Sequence, residues 1–178
     1  MAKEVGGRVT RAGGWGWRLH RGCGGYGLSI DCLTAATRMV EQGNGPVEFI
    51  GAALTHFNVG TFREVVDIVN SASFPVSTIA GLVPSVLNLA KAGDTFSEGL
   101  VKRSAADCAG LIEIACEGIS GKENELELFL TGGIIVGSEY FRKQVVEKIR
   151  FRIATINVVD EPARYCLRHA ACFQEANL

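Results

Sequence analysis

The sequence contains no Cys-x-x-Cys pair among its six cysteines, and its three histidines lie at no zinc-ligand spacing from them. This absence argues against the common zinc modules and the dithiol redox motif. A basic excess is also missing, because 18 Lys and Arg residues face 19 Asp and Glu residues for a formal net charge of -1. So small a charge does not favour nucleic acid or an anionic membrane as a partner.

Long uninterrupted apolar runs are absent too. The longest candidate, from Phe74 to Ala90, is interrupted by prolines and polar residues and is too short and too polar to span a bilayer. The basic amino-terminal stretch is followed by no apolar segment, unlike a secretory signal. Together with cysteines that show no disulfide framework, these features predict a cytoplasmic protein.

Glycine, in contrast, is concentrated at the amino-terminal end. The first 27 residues include nine glycines and two tryptophans, with arginines between them. This composition predicts an irregular segment over residues 1–27. The chain of 178 residues is 47% hydrophobic, which is enough for one core, so we expect a single domain over residues 1–178.

Apolar residues at helical spacing predict a series of helices over the next part of the chain. The longest covers roughly residues 95–119, and the first covers about 29–42. Thr61-Phe-Arg-Glu64 has the pattern of a capping box at a helix start. In this motif the threonine oxygen accepts a hydrogen bond from the glutamate amide, and the glutamate carboxylate accepts one from the threonine amide. The other predicted helix starts are at Ser29, Pro46 and Asp94.

The period changes to two in the carboxy-terminal part, where Leu126, Leu128 and Leu130 alternate with other residues as in a strand. A helix from Ser138 to about Ile149 and a β-branched run from Ile153 to Val159 follow, and a last helix begins after Pro162. A βαβα unit of this kind predicts a parallel pair of strands. The predicted class is α/β with a helix-rich insert.

Three short signatures occur in a fixed order and resemble the N-acetylglucosamine kinases of the BadF/BadG-type group in the actin-like ATPase superfamily. The resemblance covers roughly residues 13–165 and implies the carboxy-terminal lobe of an actin-like, ribonuclease H-like ATPase fold. The signatures are Gly13-Gly14-Trp15-Gly16-Trp17 with Gly25-Tyr26, Ile79-Ala80-Gly81 with Ala92-Gly93-Asp94, and Phe129-Leu130-Thr131-Gly132-Gly133.

The resemblance implies ATP-dependent phosphorylation of N-acetylglucosamine at its 6-hydroxyl, with ATP and Mg²⁺ as cofactors. It places Gly14, Trp15 and Gly16 at the sugar. It places Gly81, Gly132 and Gly133 at the nucleotide. Independently of the family, glycines at a strand end let a base or a phosphate approach the backbone, and the amides of a following helix start favour anions.

The chain departs from the family pattern at two positions. Arg21 stands where the family has an acidic residue that holds sugar hydroxyls, which predicts altered sugar binding. The last helix of the family opens with a proline followed by a Gly-Ala pair. This chain has Pro162-Ala163-Arg164-Tyr165 at that place. Packing near the nucleotide is therefore expected to differ.

Catalytic groups are not evident in the sequence. Only twelve residues precede Gly13, and none of them is aspartate, so the amino-terminal catalytic lobe and its Mg²⁺ ligands are not expected in this chain. Three aspartates are the obvious substitutes for these groups, but their positions predict helix starts or solvated helix faces. They are Asp31, Asp94 and Asp107.

Three interpretations stay open at this point. The first is one lobe of an N-acetylglucosamine kinase, inactive alone, with ATP or ADP and N-acetylglucosamine as ligands. The second is a non-catalytic nucleotide-binding or dimerisation module that forms a homodimer. The third is a truncated gene product. The histidines, and Cys108 and Cys116 on the longest predicted helix, are expected to be structural.

Overall fold

The computed structural model describes residues 2–3, 9–16, 18–19, 22–71, 73, 76–117 and 126–161. The predictions for Arg21, for the Pro162–Tyr165 signature with its helix, and for the carboxyl end of the longest predicted helix lie outside these residues. The chain divides into two compact units, a helical unit of Trp15–Ala105 and a sheet unit of Met1–Gly14 with Ala106–Leu178. The expectation of a single domain stays a prediction.

The secondary structure is mostly helical. In chain order the elements are β1 (Ala2–Lys3), β2 (Val9–Thr10), α1 (Gly25–Glu41), α2 (Val47–Phe57), α3 (Phe62–Val69), α4 (Val76–Ala80), α5 (Val83–Lys91), α6 (Thr95–Glu117), β3 (Leu126–Thr131), α7 (Gly133–Gly137), α8 (Glu139–Val146) and β4 (Ile153–Val159).

The first helix begins earlier than the sequence predicts. Gly24 is the N-cap of α1 in an extended conformation, and it makes no side-chain capping bond. Ser29, the predicted cap, lies inside the helix and is fully buried. The prediction was wrong because a cap serine outside the helix and a small serine on a packed helix face look alike in sequence.

The start of α3 confirms the capping box. The Thr61 hydroxyl accepts from the Glu64 amide, and the Glu64 carboxylate accepts from the Thr61 amide at 2.7 Å. The end of α2 is set by Asn58, which takes the left-handed conformation with φ 53°. Asparagine tolerates this conformation better than most residues, so the helix ends there.

Pro84 and Asp94 mark the starts of α5 and α6. Pro84 lies in the first turn of α5, where its missing amide costs nothing. Asp94 caps α6 as predicted, with its Oδ2 accepting from the Ser97 amide at 2.9 Å.

The helical unit buries one apolar core in which α1 packs against α4 and α5, and α2 packs against α3 and α5. The rings of Phe49 and Phe96 lie 5.1 Å apart between centroids. Each large side chain buried here stabilises the fold by roughly 1.5–3 kcal/mol. Fully buried side chains of this core include Leu28, Cys32, Phe49, Val65, Leu82, Val86 and Val101.

The sheet unit contains the predicted parallel pair. β3 pairs with β4 in parallel, with Leu130 opposite Val158 and Thr131 opposite Val159. α7 and α8 connect the two strands, and Phe141 and Val145 of α8 are fully buried. The structure is thus a mixed helix and strand fold with a parallel pair, as the α/β prediction requires in outline.

Membrane-spanning potential is low over the described ranges. No single helix there is both long enough and apolar enough to cross a bilayer. The helical stretches Val76–Lys91 and Thr95–Glu117 meet the length and hydropathy criteria only when they are taken together. The chain bends by 114° between them.

Candidate functional site

The turn after β3 is the most unusual backbone feature of the predicted nucleotide site. Gly132 has φ 111° and ψ 151°, a region open almost only to glycine, and it is the N-cap of α7. Its carbonyl accepts from the Val136 amide at 2.9 Å. Gly133 is the first residue of the helix, so the two predicted cofactor-binding glycines lie side by side at a strand-to-helix turn.

Open space surrounds both glycines. A Cβ added at Gly132 or at Gly133 would meet no heavy atom of the described structure within 4 Å. Position 132 nevertheless requires glycine, because its φ of 111° strains any other residue. Gly133 has no positive φ and no close neighbour, so neither conformation nor packing requires glycine there.

The turn lies at the carboxyl edge of the parallel pair. Because Thr131 is opposite Val159, the ends of β3 and β4 meet at one edge, where Gly132 follows one strand and Asp160 the other. The Thr131 side chain and both glycines are exposed at this edge. In open α/β sheets, ligands bind outside the carboxyl ends of parallel strands.

Arg142 of α8 holds the far end of α7. Its Nη1 donates to the carbonyls of Ile135 at 2.6 Å and Val136 at 3.1 Å, two groups at a helix end that lack helical partners. Ser138 caps α8 by accepting from the Phe141 amide at 3.2 Å. The sequence did not predict this role of Arg142, although a cation just after a short apolar helix is the available signal.

Gly81, the third predicted nucleotide residue, belongs to the other unit. It lies between α4 and α5, two residues before α5 begins, and its predicted contact with the nucleotide stays a prediction. A Cβ there would lie 3.1 Å from the His56 ring and 3.2 Å from the Thr78 carbonyl. His56 Nε2 donates to that carbonyl at 2.8 Å. Close packing therefore accounts for glycine at this position.

The predicted sugar-binding residues lie in an irregular loop. Gly14 and Gly16 have φ values of 74° and 87°, and Trp15 between them is 74% exposed. Arg11 Nη2 donates to the Gly14 carbonyl at 3.0 Å. The indole is thus presented to solvent rather than used as a core anchor, while Trp17 and Arg21 lie outside the described residues.

An arginine–glutamate pair joins α6 to the segment before β4. Arg150 donates to Glu113 through its backbone amide at 3.0 Å, through Nε at 2.9 Å and through Nη2 at 2.5 Å. These bonds lower the pKa of Glu113 to about 2 and raise that of Arg150. The pair lies away from the glycine turn in sequence and has a structural role.

Metal-binding groups are not assembled in the parts of the chain that the structure describes, since no three His, Cys, Asp or Glu side chains lie together there. Asp94 is occupied as the cap of α6. Asp31 lies in α1 and Asp107 is exposed on α6.

Burial raises the pKa of the Cys32 thiol to about 12 and also raises that of Cys116, as expected for unreactive core cysteines.

A shallow cavity of about 380 Å³ lies in the helical unit between the end of α2 and the start of α3. The Glu64 carboxylate at its rim is already bound to the Thr61 amide and hydroxyl, which lowers its pKa. The start of α3 therefore already has an anionic hydrogen-bond acceptor, the Glu64 carboxylate. The residues that line the cavity are Leu54, Thr55, Asn58, Val59, Gly60 and Glu64.

No family model matches this sequence, and no curated protein is significantly similar to it. The resemblance to the N-acetylglucosamine kinases therefore stays a prediction from the three sequence signatures alone.

Proposed function

We propose that this chain is a nucleotide-binding protein of the N-acetylglucosamine kinase type, with the fold of one lobe of an actin-like ATPase. ATP or ADP binds with its adenosine side against the turn formed by Gly132 and Gly133. The parallel pair β3–β4 and its exposed carboxyl edge support this proposal, because such edges are the usual ligand sites of α/β sheets.

The observation that carries the proposal is the open space at Gly133. Gly81 is explained by its tight packing against His56, and Gly132 is explained by its φ of 111°. Neither explanation applies to Gly133, where a side chain would point into empty space. A planar base that approaches the backbone at this point would need glycine, because a side chain would occupy its place.

Sugar binding is proposed for the loop of Gly14, Trp15 and Gly16. An exposed indole offers an apolar face on which a sugar ring stacks, and the two flanking glycines leave that face accessible. N-acetylglucosamine is the proposed ligand of this loop, and Trp15 is the residue that contacts it.

The described residues do not provide a Mg²⁺ site. Magnesium is held by carboxylate and phosphate oxygens, and among the described residues no group of three or more His, Cys, Asp or Glu side chains includes Asp31, Asp94 or Asp107. Magnesium therefore enters this proposal only as the companion of bound ATP. We assign binding to this chain and assign no step of phosphoryl transfer to its residues.

The test of nucleotide binding compares two glycines at opposite ends of α7. Titration calorimetry and thermal unfolding are measured with ATP and with ADP, and a bound nucleotide raises the melting temperature by mass action. Gly133→Leu should abolish the shift. Gly137→Leu should retain it, since Gly137 is equally open but lies at the far end of the helix. No shift in the wild-type protein at millimolar nucleotide overturns the proposal.

Two further measurements test sugar binding and catalysis independently of nucleotide binding. N-acetylglucosamine should change the tryptophan fluorescence of the wild-type protein but not that of Trp15→Ala. ADP release with ATP, Mg²⁺ and N-acetylglucosamine should equal the buffer rate. A faster, protein-dependent rate would contradict the assignment of binding without transfer.

A further inference from the structure

The cavity between α2 and α3 is formed where one helix ends and the next begins. α2 ends in a Schellman motif, in which the Val59 amide donates to the Leu54 carbonyl at 3.1 Å. The Asn58 amide completes the motif by donating to the Thr55 carbonyl at 3.3 Å. Leu54 and Val59 both line the cavity and give it an apolar wall. Its volume of about 380 Å³ falls within the usual range of small-molecule sites, roughly 300–1,000 Å³.

The rim of this cavity carries a carboxylate that is fixed through only one of its two oxygens. Oε2 of Glu64 accepts from the Thr61 amide at 2.7 Å, from the Thr61 hydroxyl at 2.8 Å and from the Gly60 amide at 3.2 Å. These bonds lower the pKa of Glu64, so that it is ionised at neutral pH. Oε1 accepts no hydrogen bond within the described part of the chain, and it is left for a ligand.

The electrostatic surroundings of the cavity favour a cation. The carboxyl end of α2 carries the negative end of the helix dipole, and the Glu64 carboxylate adds a full negative charge. Between Gly43 and Ala90 the sequence has three acidic residues, a single arginine and no lysine. That arginine, Arg63, places its Nε 3.2 Å from Oδ1 of Asp67, so its charge is paired with Asp67 on the surface of α3.

The hydrogen-bonding groups favour an ammonium over a guanidinium. A guanidinium pairs best with both oxygens of a carboxylate, but Oε2 of Glu64 already accepts three bonds. A primary ammonium is a compact group with three donors, of which one suffices for Oε1. The Asn58 side chain also lines the cavity and makes no hydrogen bond within the described residues. Its carbonyl oxygen is an acceptor for a second ammonium hydrogen.

We propose that this cavity binds a primary ammonium group carried on an unbranched aliphatic stem. The ammonium donates to Glu64 and Asn58, and the stem packs against Leu54 and Val59. A free alkylamine and the side chain of a lysine share this chemistry. All four residues belong to the helical unit, and the inference does not depend on nucleotide or sugar binding.

The first experiment titrates the ¹⁵N-labelled protein with n-pentylamine at pH 7 and follows the amide signals by NMR. Saturable shifts are expected for residues 58–64 and for the Asn58 side-chain amide, with a dissociation constant on the order of 1 mM. Methylamine should bind at least about tenfold more weakly, because it lacks the stem. n-Pentylguanidine should bind at least about threefold more weakly. The neutral n-pentanol should shift none of these signals at the same concentration.

The second experiment changes the two polar groups separately. Glu64→Gln keeps the capping box, in which glutamine also serves, but removes the charge and should raise the dissociation constant for n-pentylamine about tenfold. Asn58→Gly keeps the left-handed conformation and removes the amide, for an expected rise of about threefold. Asp67→Asn is the matched control, because it removes one charge from α3 outside the cavity, and it should stay within about twofold of wild type. Thermal unfolding confirms that each variant is folded.

A third measurement distinguishes the two sources of the ammonium group. Nα-acetyl-lysine N-methylamide carries the same ammonium on a four-carbon stem with a blocked backbone. Tighter binding than that of n-pentylamine identifies the lysine of a peptide as the ligand, and equal or weaker binding identifies a free amine. Either result supports an ammonium site.

Three results would overturn the inference. The first is that n-pentylamine shifts no signal of residues 54–64 at tens of millimolar. The second is that Glu64→Gln and Asp67→Asn bind it equally well, which would show attraction to the net charge rather than to this carboxylate. The third is that n-pentanol produces the same shifts, which would show that the stem alone is bound.

Discussion

Arg150 binds Glu113 with its guanidinium and with its backbone amide at the same time, across 37 positions of sequence. The Glu113 carboxylate is almost buried, whereas the Arg150 side chain is 81% exposed. The arginine thus covers the carboxylate and supplies it with three donors. This ties the end of α8 and the start of β4 to α6 within the sheet unit.

Acid should release this interaction. Because the pKa of Glu113 is lowered from 4.5 to about 2 in the fold, the pair stabilises the protein fully above pH 4.5, and this stability is lost as the pH falls through about 2. Urea unfolding across this range should show a smaller pH dependence for Glu113→Gln than for wild type. Glu98→Gln, on the same helix, should keep the wild-type dependence. Equal profiles for all three proteins would contradict the prediction.

The two glycines of the β3–α7 turn should differ in their effect on stability. Gly132→Ala forces an L-residue to φ 111° and should lower the free energy of unfolding by about 1–3 kcal/mol. Gly133→Ala should change it by less than about 0.5 kcal/mol. Denaturant unfolding of both variants measures the difference. A larger loss at Gly133 than at Gly132 would show that packing, and not φ, constrains the turn.

A buried serine of α6 should be replaceable with a gain in stability. Ser97 is fully buried, and its hydroxyl has no hydrogen-bond partner within the described part of the chain. Ser97→Ala removes this unsatisfied group and should raise the free energy of unfolding by about 1 kcal/mol. Ser85→Ala on α5 corrects for helix propensity. The capping bond from the Ser97 amide to Asp94 is unaffected, and a loss of stability would indicate a bound water at the hydroxyl.

Thiol labelling should distinguish two cysteines of the helical unit. The Cys32 side chain is fully buried and its thiol pKa is raised to about 12, so it should resist alkylation in the native protein at neutral pH. Cys23 is only half-buried and should be labelled faster than Cys32. Peptide mass spectrometry after native and denatured labelling measures both sites. Native labelling of Cys32 as fast as Cys23 would contradict the described core.

Local signals in the sequence were sufficient for many boundaries of the fold. The Thr61–Glu64 capping box, the Asp94 cap and the parallel strands at 126–131 and 153–159 all depend on residues close together in sequence. Each was predicted from the hydrogen-bonding or packing needs of its own segment. The start of α1 was misplaced because Gly24 supplies no side chain that would mark a cap.

Long-range relationships could not be predicted in this way. Glu113 and Arg150 are 37 residues apart, and nothing in either segment identifies the other as its partner. The close packing of Gly81 on His56 similarly requires α2 to lie against the α4–α5 turn. In the candidate site, the sequence predicted which glycines follow β3, but only the backbone angles separate the strained Gly132 from the unconstrained Gly133.

That separation has a consequence for the history of the protein. Descendants that keep the fold must keep glycine at 132, whatever they bind, because no other residue adopts that backbone conformation without strain. Position 133 is under no such demand from the backbone. Under the nucleotide binding proposed above, it should change to larger residues in lineages that no longer bind nucleotide, so that glycine at 132 would follow the fold and glycine at 133 the proposed binding.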